Sequence, residues 1–291
     1  MNKYHFKEYK SILSPKNSMN IYRGCTHGCI YCDSRSKCYQ INHDFEDIEI
    51  KKDAPQQLER EIIKRRKPCI ISTGAMTDPY MPLEKEINYT RSCLEVIEKH
   101  SFGVCVLTKS DLVLRDLDIL KKINEKSKAV VQMTLTTFDE NLCKILEPNV
   151  CTSKKRFETL KILKENGIPT VVWLDPILPF INDTEENLRG ILNYCITAKV
   201  YGIICFGMGL TLREGNREYF YKNLDKYFPN MKENYQRKYG FSYDVTSDNH
   251  KYLMKIFKEE CRKHGIETNI DNIFQYLNYY PEKYEQLSFF E

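Results

Sequence analysis

The sequence of 291 residues contains no apolar run of 18 residues and no hydrophobic segment at its polar start, Met1 to Lys10. A membrane-spanning helix and a secretory leader are therefore not expected, and the chain reads as cytoplasmic. It also lacks a strong charge of either sign: 44 Lys and Arg stand against 40 Asp and Glu, for a net charge of +4. That balance neither declares nor excludes a nucleic-acid partner. Beyond residue 210 basic and acidic residues are equally numerous, so no basic stripe accompanies the many tyrosines there. The sharpest basic run, Lys64-Arg65-Arg66-Lys67, closes a helical pattern, where cations are favourable without any ligand.

Cysteine is abundant, with twelve in the chain. In a reducing compartment those in apolar runs, such as Cys69, Cys105 and Cys205, read as small buried hydrophobes. Three others are grouped differently: Cys25, Cys29 and Cys32 form C-x3-C-x2-C within Arg23-Gly24-Cys25-Thr26-His27-Gly28-Cys29-Ile30-Tyr31-Cys32. Three thiolates can hold a 4Fe-4S cluster and leave one iron open to a small ligand. Zinc is the alternative, with Cys38 or His27 as a fourth ligand, but structural zinc sites usually pair two C-x2-C units and this chain has one. The spacing gives Cys38 no role. Cys261 and His264, one helical turn apart, lack the second pair a zinc site needs.

Short apolar runs alternate with helical periodicity along the first 210 residues, the pattern of a parallel sheet covered by helices. The expected strands are Met19–Tyr22, Cys69–Thr73, Gly103–Leu107, Ala129–Leu135, Thr170–Leu174 and Gly202–Phe206. Helical patterns between them centre on Leu58, Leu94, Leu120, Leu160 and Leu188. The expected fold is α/β, a partial (β/α)6 barrel over residues 1–210, followed over 211–291 by a helical, tyrosine-rich cap. Such barrels place chemistry at the C-terminal ends of the strands, and the cysteine loop follows the first strand.

The cysteine segment, with an aromatic, Tyr31, just before its third cysteine, resembles the signature of the radical S-adenosylmethionine (radical SAM) superfamily. The other strand ends, over residues 18 to 210, resemble its spore photoproduct lyase-like branch. These are Ser72-Thr73-Gly74-Ala75-Met76-Thr77-Asp78-Pro79-Tyr80, Thr108-Lys109-Ser110, Thr134, Arg156 and Asp175-Pro176. The resemblance implies that Cys25, Cys29 and Cys32 bind the cluster and that Tyr31 lies near the adenine of SAM. Thr77 and Asp78 would accept hydrogen bonds from the SAM ammonium, and Lys109 and Thr134 would bind its carboxylate. Arg156 matches a family arginine. Asp78-Pro79 also reads as a plain turn, and Arg156 as a surface cation at a helix start. Pro176 and Pro179 read as shaping the mouth of the barrel. Tyr80 and Glu84 are placed toward substrate.

A 4Fe-4S cluster, SAM and a flavodoxin-like or ferredoxin-like electron donor are the implied cofactors and partner, with repair or modification of DNA or other nucleic acid as the implied activity. A peptide or metabolite substrate, and a non-catalytic iron-sulfur interaction protein, remain as alternatives. Two departures bear on the reaction. Ala75 stands where true spore photoproduct lyases carry a hydrogen-donating cysteine, and Asp33 where they carry a tyrosine, so efficient repair of that lesion is not expected. The tail Gln286-Leu287-Ser288-Phe289-Phe290 resembles the pentapeptide that binds the bacterial sliding clamp; docking on its own domain is the other reading.

Overall fold

Apolar runs too short for helices, joined by amphipathic helices of ten or more residues, leave the chain one economical arrangement, a sheet with its helices on one face. The computed structural model describes residues 3–281. In chain order come β1 (Tyr4–Lys7), β2 (Ser18–Met19), β3 (Tyr22–Arg23), β4 (Ile48–Lys51), α1 (Ala54–Ile63), β5 (Ile70–Thr73), the single turn α2 (Glu84–Ile87) and α3 (Tyr89–Lys99). There follow β6 (Gly103–Thr108), α4 (Leu117–Lys126), β7 (Ala129–Thr134), α5 (Glu140–Leu146), α6 (Ser153–Glu165), β8 (Thr170–Trp173), α7 (Glu185–Thr197) and β9 (Gly202–Ile204). The last part holds β10 (Gly209–Thr211), α8 (Asn216–Tyr227), α9 (Met231–Tyr239), β11 (Asp244–Thr246), α10 (His250–Lys263) and α11 (Ile270–Asn278).

Six strands form one parallel sheet in the order β2-β5-β6-β7-β8-β9. Because that order never reverses, the sheet is singly wound, as in a barrel; β2 and β9 are its edge strands, each met by an isolated bridge, Met19 with Leu13 and Gly202 with Glu267. The expected first strand, Met19–Tyr22, divides in two. Ser18–Met19 pairs with Ser72–Thr73, whereas Tyr22–Arg23 pairs antiparallel with Ile50 and Glu49 in a separate sheet, β1-β4-β3. Ile21 and Tyr22 are both buried although adjacent, so the chain is covered on both faces where it leaves one sheet for the other.

Alternate residues of the barrel strands serve two cores. Ile71, Val104, Val131 and Val172 meet Leu94, Leu120, Leu160 and Leu188 of the covering helices. Their neighbours Ile70, Cys105, Val130 and Val171 face the other way and pack on Ile273 and Leu277 of α11, whose Leu277 carbonyl accepts from the Cys105 thiol at 3.1 Å. The C-terminal helix thus lies on the inner face of the sheet, toward the N-terminal ends of the strands. Its Tyr276 ring stacks on Tyr201 at 3.8 Å and carries the Lys128 ammonium at 3.6 Å. A third core joins Leu210, Phe220, Leu224, Tyr235 and Val245 to Ile30, Tyr31 and Leu146, so the last part of the chain rests on the cysteine loop. Residue 210 lies inside β10, which pairs antiparallel with β11. Among the described residues no helix is long and apolar enough to cross a membrane.

Candidate active site

The cysteine loop is shaped by close backbone approaches. Gly24 has φ +86°, and a Cβ there would stand 2.5 Å from the Phe45 carbonyl oxygen, which accepts the Cys25 N–H at 3.0 Å. Ile30 N–H donates to the Leu146 carbonyl and Asn149 N–H to that of His27, pinning the loop to the turn after α5. Opposite, Gly74 (φ +101°) begins the loop after β5; a Cβ would meet the Leu107 oxygen at 1.9 Å, so only glycine lets this loop lie against β6.

Between these loops opens a cavity of about 600 Å³ lined by Cys25, Cys29, Cys32, Tyr31, Thr77, Asp78, Lys109 and Thr134. Eight of the nine residues that sequence singled out for cluster and SAM therefore meet on one surface, contributed by four strand ends. No disulfide joins the thiols. Burial pushes the Cys25 thiol up to about 12, though the neighbouring backbone N–H groups of His27 and Asp78 favour its thiolate. Burial raises Cys29 further, against the pull of the Lys109 cation. Two buried thiols that resist ionisation, with the Cys32 thiol beside them on the same loop, are a donor set that a metal cluster completes, since coordination displaces thiol protons. The residues present fit a cluster.

Burial alone would lower the Lys109 ammonium, but Cys29, Glu147, Asp78 and Cys32 around it hold it above the ordinary lysine range, so it stays cationic. Its Nζ makes no hydrogen bond or ion pair among the described residues, and neither does the hydroxyl of Thr77 or Thr134. A cation and two hydroxyls without partners on a cavity wall suit the charged end of an amino-acid-like ligand. Lys109→Ala is expected to weaken SAM binding by about 1.5 to 3 kcal/mol, the loss of one charge-assisted contact. Equilibrium dialysis measures it, and unchanged affinity would remove Lys109 from the site.

Asp78 is less available than expected. Its carboxylate accepts from Tyr80 N–H at 2.9 Å, Thr108 Oγ1 at 2.7 Å and Lys109 N–H at 2.7 Å, and His27 Nδ1 lies 3.4 Å away. It locks the loops after β5 and β6 together, which aims Lys109, and one lone pair remains for a ligand. Arg156 requires a correction. It is fully buried and does not line the cavity. Its Nε donates to the Cys151 carbonyl at 2.9 Å, Nη1 to the Thr134 carbonyl at 2.8 Å and Nη2 to Glu147, so it braces the wall from behind. Glu147 also accepts from the Tyr31 hydroxyl, which links that ring to the brace. Tyr80 and Glu84 are not toward substrate either. Glu84 is fully buried on Tyr22, Thr90 N–H and Arg115, and Tyr80 borders a smaller cavity of about 370 Å³ beyond His27.

Ala75 and Asp33 both line the main cavity, and the Tyr39 hydroxyl, also on its wall, donates to Asp33 at 2.8 Å. Cys38 is exposed, outside the cavity, with its sulfur 3.3 Å from Arg213. Two features went unnoticed in the sequence: Glu147, behind the wall, and the wall opposite the cysteines, built by Phe206 to Thr211, Asp244 to Thr246 and His250. Asp175, read in the sequence only as the end of a strand, lines the cavity without a hydrogen bond among the described residues, and burial raises its carboxyl to about 7 despite Lys109.

The family model of the radical SAM superfamily matches residues 19–195. An uncharacterised protein of Methanocaldococcus jannaschii is 36% identical over 176 residues, 60% of this chain and 65% of that protein. An uncharacterised protein of Mycobacterium tuberculosis is 26% identical over 231 residues, 76% of this chain and 66% of its own. The chain thus spans just under two thirds of the length of these curated relatives. A radical SAM Nalpha-GlyT isomerase of Pseudomonas phage M6 is 23% identical over 171 residues, covering 57% of this chain and 33% of that protein. Among solved structures, spore photoproduct lyase complexed with dinucleoside spore photoproduct superimposes with a TM-score of 0.61 at 13% identity, covering 90% of this chain and 78% of that one. With more than half of its length matched by the family model, this chain belongs to the radical SAM superfamily, whose members use a 4Fe-4S cluster and SAM.

Proposed function

We propose that this radical SAM enzyme repairs or modifies nucleic acid, with Cys25, Cys29 and Cys32 as cluster ligands. The observation that supports the nucleic-acid reading is a surface of the last part of the chain, joined to the cavity through Tyr39 and Asp244, where cations and aromatic rings interleave. Arg213 stands 5.2 Å over the Tyr243 ring and 5.7 Å over that of Tyr39, bonded to both hydroxyls, and Arg217 lies 5.8 Å over Phe241, which is 91% exposed. Lys238 covers Phe180 at 5.3 Å. Interleaved rings and cations are what unpaired bases and phosphates require. The sequence showed no basic stripe because these residues come from separate segments.

When bound, the cluster supplies an electron that cleaves SAM to methionine and a 5'-deoxyadenosyl radical able to take hydrogen from unactivated carbon. The chain's own work is placement. Lys109, Thr77 and Thr134 would hold the amino-acid end of SAM and Tyr31 would border its adenine, while the antiparallel pair β10 and β11, with Phe206, forms the far wall. A flavodoxin-like or ferredoxin-like protein supplies the electron. Lyase and isomerase chemistry both remain compatible with this arrangement. The sliding-clamp reading of Gln286, Leu287, Phe289 and Phe290 falls outside the described residues and adds nothing here.

The test is fluorescence anisotropy of the cluster-loaded protein with a single-stranded oligonucleotide across a salt series. Affinity is expected to fall linearly on a log–log plot, with Arg213→Ala reducing the slope by roughly 0.7 to 1. Absence of binding, or binding indifferent to salt, would favour the peptide or metabolite reading.

A further inference from the structure

We propose that His5, His43 and Glu49 form a second metal site, distinct from the cysteine loop, for a divalent ion of the zinc class. Parallel pairing of β1 with β4 sets His5 opposite Glu49, and His43 arrives from the loop before β4 with its ring perpendicular to that of His5 at 5.2 Å. One ligand atom from each of the three lies within 4.8 Å of the other two. Two imidazole nitrogens and a carboxylate oxygen are a donor set for Zn²⁺, Co²⁺ or Ni²⁺, with a fourth position left to water.

The protonation pattern of the rings is the stronger argument. His43 Nδ1 lies 3.0 Å from the Asp44 carbonyl oxygen, which cannot donate, so the proton sits on Nδ1. Nε2 of that ring, the remaining metal-binding nitrogen, is buried without a partner among the described residues. His5 Nδ1 likewise faces the Asp47 carboxylate at 3.2 Å, leaving its Nε2 toward Glu49 at 3.8 Å. Each ring is therefore held by an oxygen on one nitrogen and presents the other inward, the arrangement that orients histidine toward a metal. Protonating His5 would satisfy Glu49 but leave His43 Nε2 unpaired.

Glu49 is engaged by Lys7 at 2.8 Å and by the Tyr9 hydroxyl, with Arg23 at 3.8 Å. The Lys7 side chain is 57% exposed and can swing into water when an ion takes its oxygen, and the half-exposed His5 ring can close the remaining distance. An ion there would tie β1 and β4 to the loop that carries Phe45, whose carbonyl holds the Cys25 backbone. The site would brace the cysteine loop from behind.

The experiment adds Zn²⁺ to the full-length, cluster-loaded protein, followed by desalting and metal analysis, with calorimetry for affinity. About one zinc per chain beyond the iron is expected, with a raised Tm. His5→Ala and His43→Ala should each reduce retained zinc to near none and abolish the Tm shift, while unchanged iron content shows that the variants are folded. Cys38→Ala should retain zinc. No zinc retained by the unaltered protein, zinc retained equally by the double histidine variant, or zinc lost only in Cys38→Ala would each overturn the proposal.

Discussion

Replacing any one of Cys25, Cys29 or Cys32 by alanine is expected to abolish the iron-sulfur cluster, while Cys38→Ala leaves it intact. Iron and sulfide content after anaerobic reconstitution reads the result directly. The three thiols share one loop and one cavity, and two are almost wholly buried, so no nearby thiol can take the place of a missing one. Cys151, on the next segment, points elsewhere, with its sulfur on the Lys109 carbonyl at 3.2 Å. Cys38 lies outside the cavity against Arg213. A cluster of normal iron content in Cys29→Ala would contradict the assignment.

Arg156→Ala is expected to cost about 3 to 5 kcal/mol of stability, although Arg156 touches no ligand-facing surface. The change leaves the Glu147 carboxylate buried without its cation and removes the donors from the Cys151 and Thr134 carbonyls. Burial alone would raise the Glu147 carboxyl, but Arg156 and then Lys109 hold it below the ordinary range. Its contribution is therefore present above the ordinary carboxylate range and lost as pH falls through the lowered value. Paired replacement of Arg156 and Glu147 by methionine should cost less than Arg156→Ala, because no charge is stranded. Urea unfolding of the apoprotein measures both; a loss under about 1 kcal/mol in the single variant would show that the pair is solvated.

Much of this site was legible because its residues stand where the strand rhythm breaks. Lys109 ends an apolar strand, so period and polarity alone put it at the barrel mouth. The cysteine spacing carries its own geometry. Arg156 was not legible in the same way: a cation in the first turn of a helix reads as solvated until the helix is docked, and only docking turns it onto Glu147. Glu147 itself stands 116 residues from the tyrosine it meets, with no local pattern to mark it. Asp175 was read only as the end of a strand, since its raised carboxyl arises from the walls around it. The strands β1, β4, β10 and β11 are three or four residues long in segments rich in charge, too short for alternation to show. Helix α9, with buried Tyr235 as its anchor, offers almost no apolar stripe.

The central claim is that these strand ends hold a cluster and SAM so that reduction breaks SAM in a defined place. Cluster-loaded protein, SAM carrying deuterium at the 5' carbon and a chemical reductant are incubated without oxygen, and the products are resolved by mass spectrometry. Deuterated 5'-deoxyadenosine and methionine in equal amounts are predicted, with both lost in Cys29→Ala. SAM that binds the reduced, cluster-loaded protein yet remains uncleaved would contradict the account.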